Sequence, residues 1–477
     1  MYRHNPPRVI RTVPCALALI LAGCGGGMGG GYGSGGGTTY QMPPAVMFSS
    51  PAQAATIHLG QAVKLAWTTA NASSCSASAS SNMGGAFSGD QSTSGSVSVA
   101  PIGTGTVTYM LSCMGPGGTT SATTAVVTVA PSILGMLSSG SITPIGSTVD
   151  PIEMGGNPYG LAIAPATSGL ITAGDLIACN FNDGATNTQG LGTTIVGLHP
   201  SAGATPYRIA QSASLQGCNA LAVFADDSIA AAAYSANLNP LVASSGTVND
   251  PFSADTFNSP WGEAYVPASG QNPAVLYVSN ANGTIDRITL NGDAQTAFAQ
   301  IVQGFCGSGA PGAVYAPAGL TYDPAVDTLY VIDTSSFSVV ALANVSQIAA
   351  SGVTVAGQCS SGSPPTPEPT FSGPSASSAS VIARGPPLFA PLSAALLADG
   401  DLIVENSDIN IGNGQTPNLA VEVSPVLPGG FVGQPVQLDT SGTAGALFGI
   451  VATVDSQGDQ IVYFNDDNTN AVMMMTP

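Results

Sequence analysis

Two kinds of alternation run along the chain. From Pro43 to Ala130, short segments alternate apolar and polar residues with a period of two: Ala62–Trp67, Gly95–Val99, Thr106–Cys113 and Ala125–Val129, separated by turn-rich stretches. Successive side chains of a strand point to opposite faces, so this pattern predicts strands with one buried face, arranged as a two-sheet sandwich. From about Ile133 onward a larger unit repeats. A turn containing Pro, Gly or Asn leads into a strand of small residues at Asn157–Ala162, Gly217–Ala222, Ser259–Ala264, Ala316–Thr321, Ala390–Ala395 and Gly445–Ile450. In five of these six copies a second, strongly apolar strand follows and ends on Asn or Asp: Asn180, Asn280, Asp333, Asn406 and Asn465. The remaining copy, Ser228–Tyr234, is degenerate and offers Tyr234 at that place. Third strands follow at Thr193–Leu198, Thr284–Leu290, Val339–Leu342, Leu419–Val423 and Ala471–Met475.

Repeats whose glycine-bearing strand comes first resemble the blades of NHL-type β-propellers. The resemblance implies an all-β chain: an N-terminal sandwich over 43–130, then a six-bladed propeller over 133–477. Small residues suit strands crowded around an axis, and radial repetition leaves few exposed sheet edges. The last repeat ends after three strands, so closure requires a strand from the other end, and Ser141–Ile145 is the candidate. The Pro- and Ser-rich segment 360–387 reads as a flexible loop and not as a seventh blade. In the N-terminal region, Trp67, Asn71–Cys75 and Thr108–Cys113 resemble an Ig-like module of bacterial surface proteins, although Trp67 precedes both cysteines.

The first residues change the picture of where such a protein resides. Arg3, Arg8 and Arg11 precede a short apolar run that closes on Leu21-Ala22-Gly23-Cys24. That segment resembles the lipobox of a bacterial lipoprotein, which implies that 1–24 is a signal peptide with its lipobox and that Cys24 carries the acyl chains, palmitate among them. Gly25 after the cysteine favours the outer membrane, facing either the periplasm or the surface. The apolar run is too short to cross a bilayer as a helix. Residues 25–42 are glycine-rich and read as a tether. Without the signal, four basic residues remain against 26 acidic ones, a charge of −22. Nucleic acid is a poor partner for such a chain, because no cations cluster to neutralise phosphates. Six cysteines remain for an oxidising compartment. Cys75 pairs naturally with Cys113 inside the first region, Cys306 with Cys359 around one repeat, and Cys179 with Cys218 by elimination.

Catalytic signals are sparse. After the signal, the histidines are His58, in an alternating strand, and His199, before Pro200 in a turn. There is no HExxH, no GxSxG and no phosphate loop between strand and helix, and no catalytic residue is assigned. The repeated Asn and Asp at second-strand ends have two readings. Oxygen ligands from several blades suit Ca²⁺ or Mg²⁺, with Asn180, Asn280, Asp333 and Glu263 as the set and Glu405 beside it; this resembles the axial metal of gluconolactonase (SMP-30) enzymes. Asn and Asp at strand ends also bond nearby backbone amides in turns. Asn465–Asn468 and Asp226-Asp227 read as polar turns. Tyr159, Trp261, Phe389 and Phe448 flank inner strands and are candidates for one mouth of an axial channel that stacks on a ligand. The expectation is a lipid-anchored, non-catalytic envelope protein whose propeller is a binding or scaffold platform for protein, peptide or glycan, needing no cofactor. A metal-dependent propeller hydrolase and a purely structural envelope component are the other readings.

Overall fold

A computed structural model describes residues 41–252, 257–307, 311, 315–357, 368–406, 416–427, 429–441 and 443–477. Cys24, the tether up to residue 40 and Cys359 lie outside the described residues, and with them the lipidation site and the Cys306–Cys359 pairing.

Residues 45–130 form three small sheets. Val63–Ala70 pairs with Ala45–Ser50 and Gly95–Val99; Tyr109–Gly115 pairs with Ser74–Ala79 and Gly118–Thr123; Val127–Ala130 pairs with Ala55–His58 and Gly105–Val107. Their inward residues, among them Leu65, Trp67, Tyr109 and Leu111, make one apolar cluster together with Phe87 from a connecting loop. Cys75 faces Cys113 in register across two of these strands and is bonded to it.

The repeats form six sheets. Their innermost strands are Gly156–Ile163, Cys218–Val223, Pro260–Val266, Pro317–Asp323, Pro391–Leu396 and Leu447–Val454. Each packs on the inner strands of its two neighbours, and the first packs on the last, so the six surround one axis. Every pair of neighbouring blades shares its own apolar cluster. Burying such a cluster at each joint is what makes a repeat stable only beside another repeat. Ser141–Ser147 supplies the fourth strand of the last sheet, antiparallel to Ala471–Thr476, which joins the two ends of the ring. Cys179 on a second strand bonds to Cys218 on the next blade's inner strand, stapling two blades together.

Glycine on the inner strands follows from crowding. A Cβ on Gly262 would lie 2.0 Å from the Ala318 carbonyl oxygen, and one on Gly449 would lie 2.2 Å from that of Tyr159. A side chain at either place would push neighbouring blades apart.

Part of the stretch expected as a flexible loop is regular structure. Within 360–387, Thr370–Ser372 pairs with Val353–Ala356, extending the third blade to six strands, and Ala379–Arg384 is the fourth strand of the fourth blade. Ala383 is buried against the Val339 side of that blade, which holds the segment in place despite its Pro- and Ser-rich composition. A short helix, Ile133–Ser139, precedes the closing strand. Ser132 caps it, and the buried Glu422 carboxylate accepts from the backbone N–H groups of Ile133 and Leu134.

Candidate functional site: the axial channel

Alternation along each inner strand places every second residue toward the axis. Three layers of side chains result. The first contains Tyr159, Asn219, Trp261, Leu392 and Phe448. The second is a throat of Leu161, Leu221, Glu263, Leu320, Ala394 and Ile450, one residue from each blade. The third opens into a vestibule with Ile163, Tyr265, Tyr322, Leu396 and Ala452. On the aromatic side of the throat lies a cavity of about 80 Å³, and on the other side the vestibule encloses about 370 Å³. Glu263 is thus the single acid in a ring of aliphatic side chains.

Its environment decides its chemistry. Glu263 is 7% exposed; its Oε1 accepts a hydrogen bond from the Asn239 amide, and its Oε2 has no partner. Burial pushes its carboxyl up to about 8, against the opposing effect of Asn239 and the Ala222 backbone. The group is therefore a neutral acid at neutral pH, able to donate one proton. Glu405 stands behind the first-layer side of the fifth blade, fully buried: its Oε2 accepts from the Ser393 hydroxyl at 2.8 Å, and burial pushes it up to about 8 as well. Asn219 is 7% exposed, with both side-chain amide atoms unpartnered.

The aromatic residues expected at the mouth are only partly brought together. Tyr159 is sandwiched between Phe181 and Phe448, with ring centroids 4.1 and 3.8 Å away, and Trp261 meets Tyr159 edge-on at 6.3 Å. Tyr234 meets Trp261 at 5.4 Å. These rings cover one another at that end of the channel. Phe389 is not among them; it packs in the cluster shared by the fourth and fifth blades.

Of the four residues expected to share a cation, only Glu263 lines the channel. The others lie one strand further out and make local bonds, although Asn180 Oδ1 itself has no partner. Asn180 donates to the Thr148 carbonyl and the Thr194 hydroxyl. Asn280 accepts from the Asn258 N–H and donates to Asp286. Asp333 accepts from the hydroxyls of Ser335 and Ser336. Asn406 and Asn465 behave alike: Asn406 bonds the backbone of Phe389 and Pro387, and Asn465 bonds the Tyr159 and Gly160 carbonyls of the first blade. Asn280 and Asn406 thus bind the chain where it enters an inner strand, Asp333 binds the turn that follows its own strand, and Asn180 and Asn465 tie neighbouring segments together, all local structural uses of these side chains. Among the described residues no three His, Cys, Asp or Glu gather as a metal-binding group. This donor set does not fit a shared cation, and no chemistry is routed through one.

The histidines lie away from the channel. His58 Nδ1 is 3.0 Å from the Pro131 carbonyl oxygen, and His199, 63% exposed at its side chain, is held by the buried Asp175, which also accepts from the Tyr207 hydroxyl.

Sequence reasoning missed Asn219, Asn239, Ser393, Tyr265 and Tyr322. Aligning the six inner-strand copies would have found the first: the position held by Tyr159, Trp261 and Phe448 in three blades is Asn219 in the second.

Inner strands around an axis, one four-stranded or larger sheet per repeat and closure by the N-terminal strand define a β-propeller, within an all-β chain. No family model and no curated protein matches the chain. Among solved structures, it is similar to a catalytically inactive virginiamycin B lyase from Staphylococcus aureus crystallised with quinupristin, at 12% identity over 71% of this chain and 99% of that one, with a TM-score of 0.42. It is also similar to a streptogramin B lyase, at 14% identity over 70% and 97% of the chains with a TM-score of 0.39, and to a gluconolactonase from Xanthomonas campestris, at 12% identity over 71% and 97% with a TM-score of 0.42.

Proposed function

We propose that this protein is an exported lipoprotein whose propeller binds a ligand in its axial channel. In this reading the chain is cleaved before Cys24 and acylated there, residues 25–42 are the tether, 43–130 an Ig-like spacer, and 133–477 the binding domain. The Leu21–Cys24 segment supports the anchor, and the surplus of acidic over basic residues supports a partner other than nucleic acid. The observation that carries the binding function is the vestibule that ends at a buried, half-partnered carboxyl in an aliphatic throat. Buried polar atoms are normally satisfied, and an unsatisfied one facing a cavity marks a place for an outside partner. The size of the vestibule narrows the platform reading from an extended surface to whatever enters the channel: a small molecule or a single side chain.

The experiment has two parts. Palmitate labelling of the full chain in cells should mark the wild type and not Cys24→Ala. A thermal-shift panel of neutral, cationic and anionic small molecules on the purified full chain should yield stabilising compounds that lose their effect in Ala394→Phe, which fills the throat. Native-state binding must raise stability with occupancy. Compounds that stabilise both proteins equally would place binding elsewhere and sink the channel reading.

A further inference from the structure

The atoms left unpartnered around the throat specify the occupant further, and this step rests on the channel reading above. On the cavity wall they are Glu263 Oε2, the Oδ1 and Nδ2 atoms of Asn219 and the Tyr159 hydroxyl; one residue behind are Asn239 Oδ1, Glu405 Oε1 and Asn465 Oδ1. Within this set only Asn219 Nδ2 is an obligatory donor and the Tyr159 hydroxyl can donate or accept; the rest accept once the two carboxyls ionise. A ligand that completes them must bring donors.

Charge points the same way. Neither cavity is lined by lysine or arginine among the described residues. Arg208 is engaged with Asp150, and Arg287 with the carbonyls of Ser346 and Ile348. An ionised Glu263 therefore has no protein cation beside it on the channel wall. Beyond the throat the vestibule opens toward solvent with a wall more polar than apolar overall, to which Ile163, Leu396, Tyr265 and Tyr322 contribute the large apolar and aromatic side chains. A charged head at the throat and an aryl body against Tyr265 and Tyr322 fit this arrangement.

We propose that the channel takes an amphipathic primary amine, its ammonium bonded to Glu263 and Asn219 and its apolar body in the vestibule. The step balances as a proton release. The neutral Glu263 acid and a protonated amine form a carboxylate–ammonium pair, and the carboxyl proton passes to solvent. No other bond forms or breaks. Because ligand binding requires the ionised carboxyl, whose ordinary range has been pushed up to about 8, affinity rises with pH up to that value. It levels off between there and the amine's own titration.

The test is calorimetric titration of the full chain with 4-phenylbutylamine and with its neutral counterpart 4-phenylbutan-1-ol. The amine should bind at least about 10-fold more tightly than the alcohol near pH 8, since a charge-assisted bond in a dry site exceeds a neutral one. Its affinity should fall by on the order of 10-fold or more between about pH 8 and about pH 6, and protons should be released on binding in that window. Glu263→Gln should remove the amine's advantage over the alcohol and its pH dependence. Should Glu263→Gln fold poorly, Asn219→Asp provides a second reading: a further carboxyl at the head position should tighten the amine and not the alcohol. Equal binding of amine and alcohol, unchanged in Glu263→Gln, would overturn the ammonium assignment while leaving the channel reading intact. Failure of both probes to bind the wild type would also overturn it, and the panel with Ala394→Phe would then decide the channel reading separately.

Discussion

The Cys179–Cys218 bond staples the first blade to the second, and removing it gives a sharp test of the ring. Both sulfur-bearing residues are fully buried, and 39 positions separate them. In the chain-entropy description, closing a loop of that size in the unfolded chain contributes about 4 kcal/mol to stability at 25 °C. If the propeller unfolds as one unit, an unfolding entropy of about 2 cal/mol/K per residue over its repeats converts this to a fall in Tm of about 5 °C. The perturbation is the double substitution Cys179→Ala/Cys218→Ala, read by calorimetry of the full oxidised chain. The Cys75–Cys113 bond, in a separate apolar cluster, serves as the control: removing it should leave the propeller transition where it is. A shift of less than about 1 °C on losing the staple would refute the reasoning. So would free Cys179 or Cys218 thiols in alkylation of the native oxidised protein.

Three further outcomes follow from buried groups. Glu263, Glu405 and Glu422 are pushed up to about 8, and Asp286, Asp401 and Asp467 to about 7, burial being the first cause in each case. The folded state then holds more protons than the unfolded one between the ordinary carboxylate range and about 8, so stability falls as pH rises through that window; Tm should drop from about pH 5 to about pH 8, and a Tm that rises instead would contradict the assignment. Burial raises Asp150, but its bonds from Arg208, at 2.9 and 2.5 Å, and from the Glu153 and Ile152 N–H groups outweigh it and hold the carboxyl below its usual value. Its contribution is present above the unfolded value near 4 and lost as pH falls through the folded one, and Asp150→Asn should cost about 3 kcal/mol in urea unfolding at neutral pH. Phe181→Ala opens one face of the Tyr159 stack and should cost about 3 to 5 kcal/mol, visible in the same assay.

The inner and second strands were legible in the sequence because burial leaves its mark on composition. All six small-residue segments are innermost strands, and even the degenerate Ser228–Tyr234 copy contains the strand Ile229–Ala233. The fourth strands were not legible, because an outer strand is half exposed and loses the contrast between faces. Ala294–Gln303, exposed over most of its first half, shows no usable alternation. The helix Ile133–Ser139 was missed because seven residues carry too little periodicity, and the groups that hold it, Glu422 above all, are nearly 300 positions away. In the site, Glu263 stood out as an acid in a small-residue strand. Its partner Asn239 did not, since it reaches Glu263 from the loop of the neighbouring blade. The recurrent Asn and Asp attracted a metal reading because repetition signals convergence, yet what repeats is a position one strand out from the axis, where each side chain makes its own local bonds.

The most direct measurement uses the tryptophans, of which the chain has two, Trp67 and Trp261. Trp67 lies in the N-terminal cluster and Trp261 on the wall of the axial cavity, so Trp67→Phe leaves a single fluorescent reporter in the channel. Titrating this protein with 4-phenylbutylamine should give a saturable change in Trp261 emission and protect it from acrylamide quenching, and both effects should vanish when Ala394→Phe is added. An amine, or a stabilising compound from the panel, that binds by calorimetry yet leaves the emission unchanged, or changes it equally with the throat filled, would contradict the claim that the axial channel is where this protein binds.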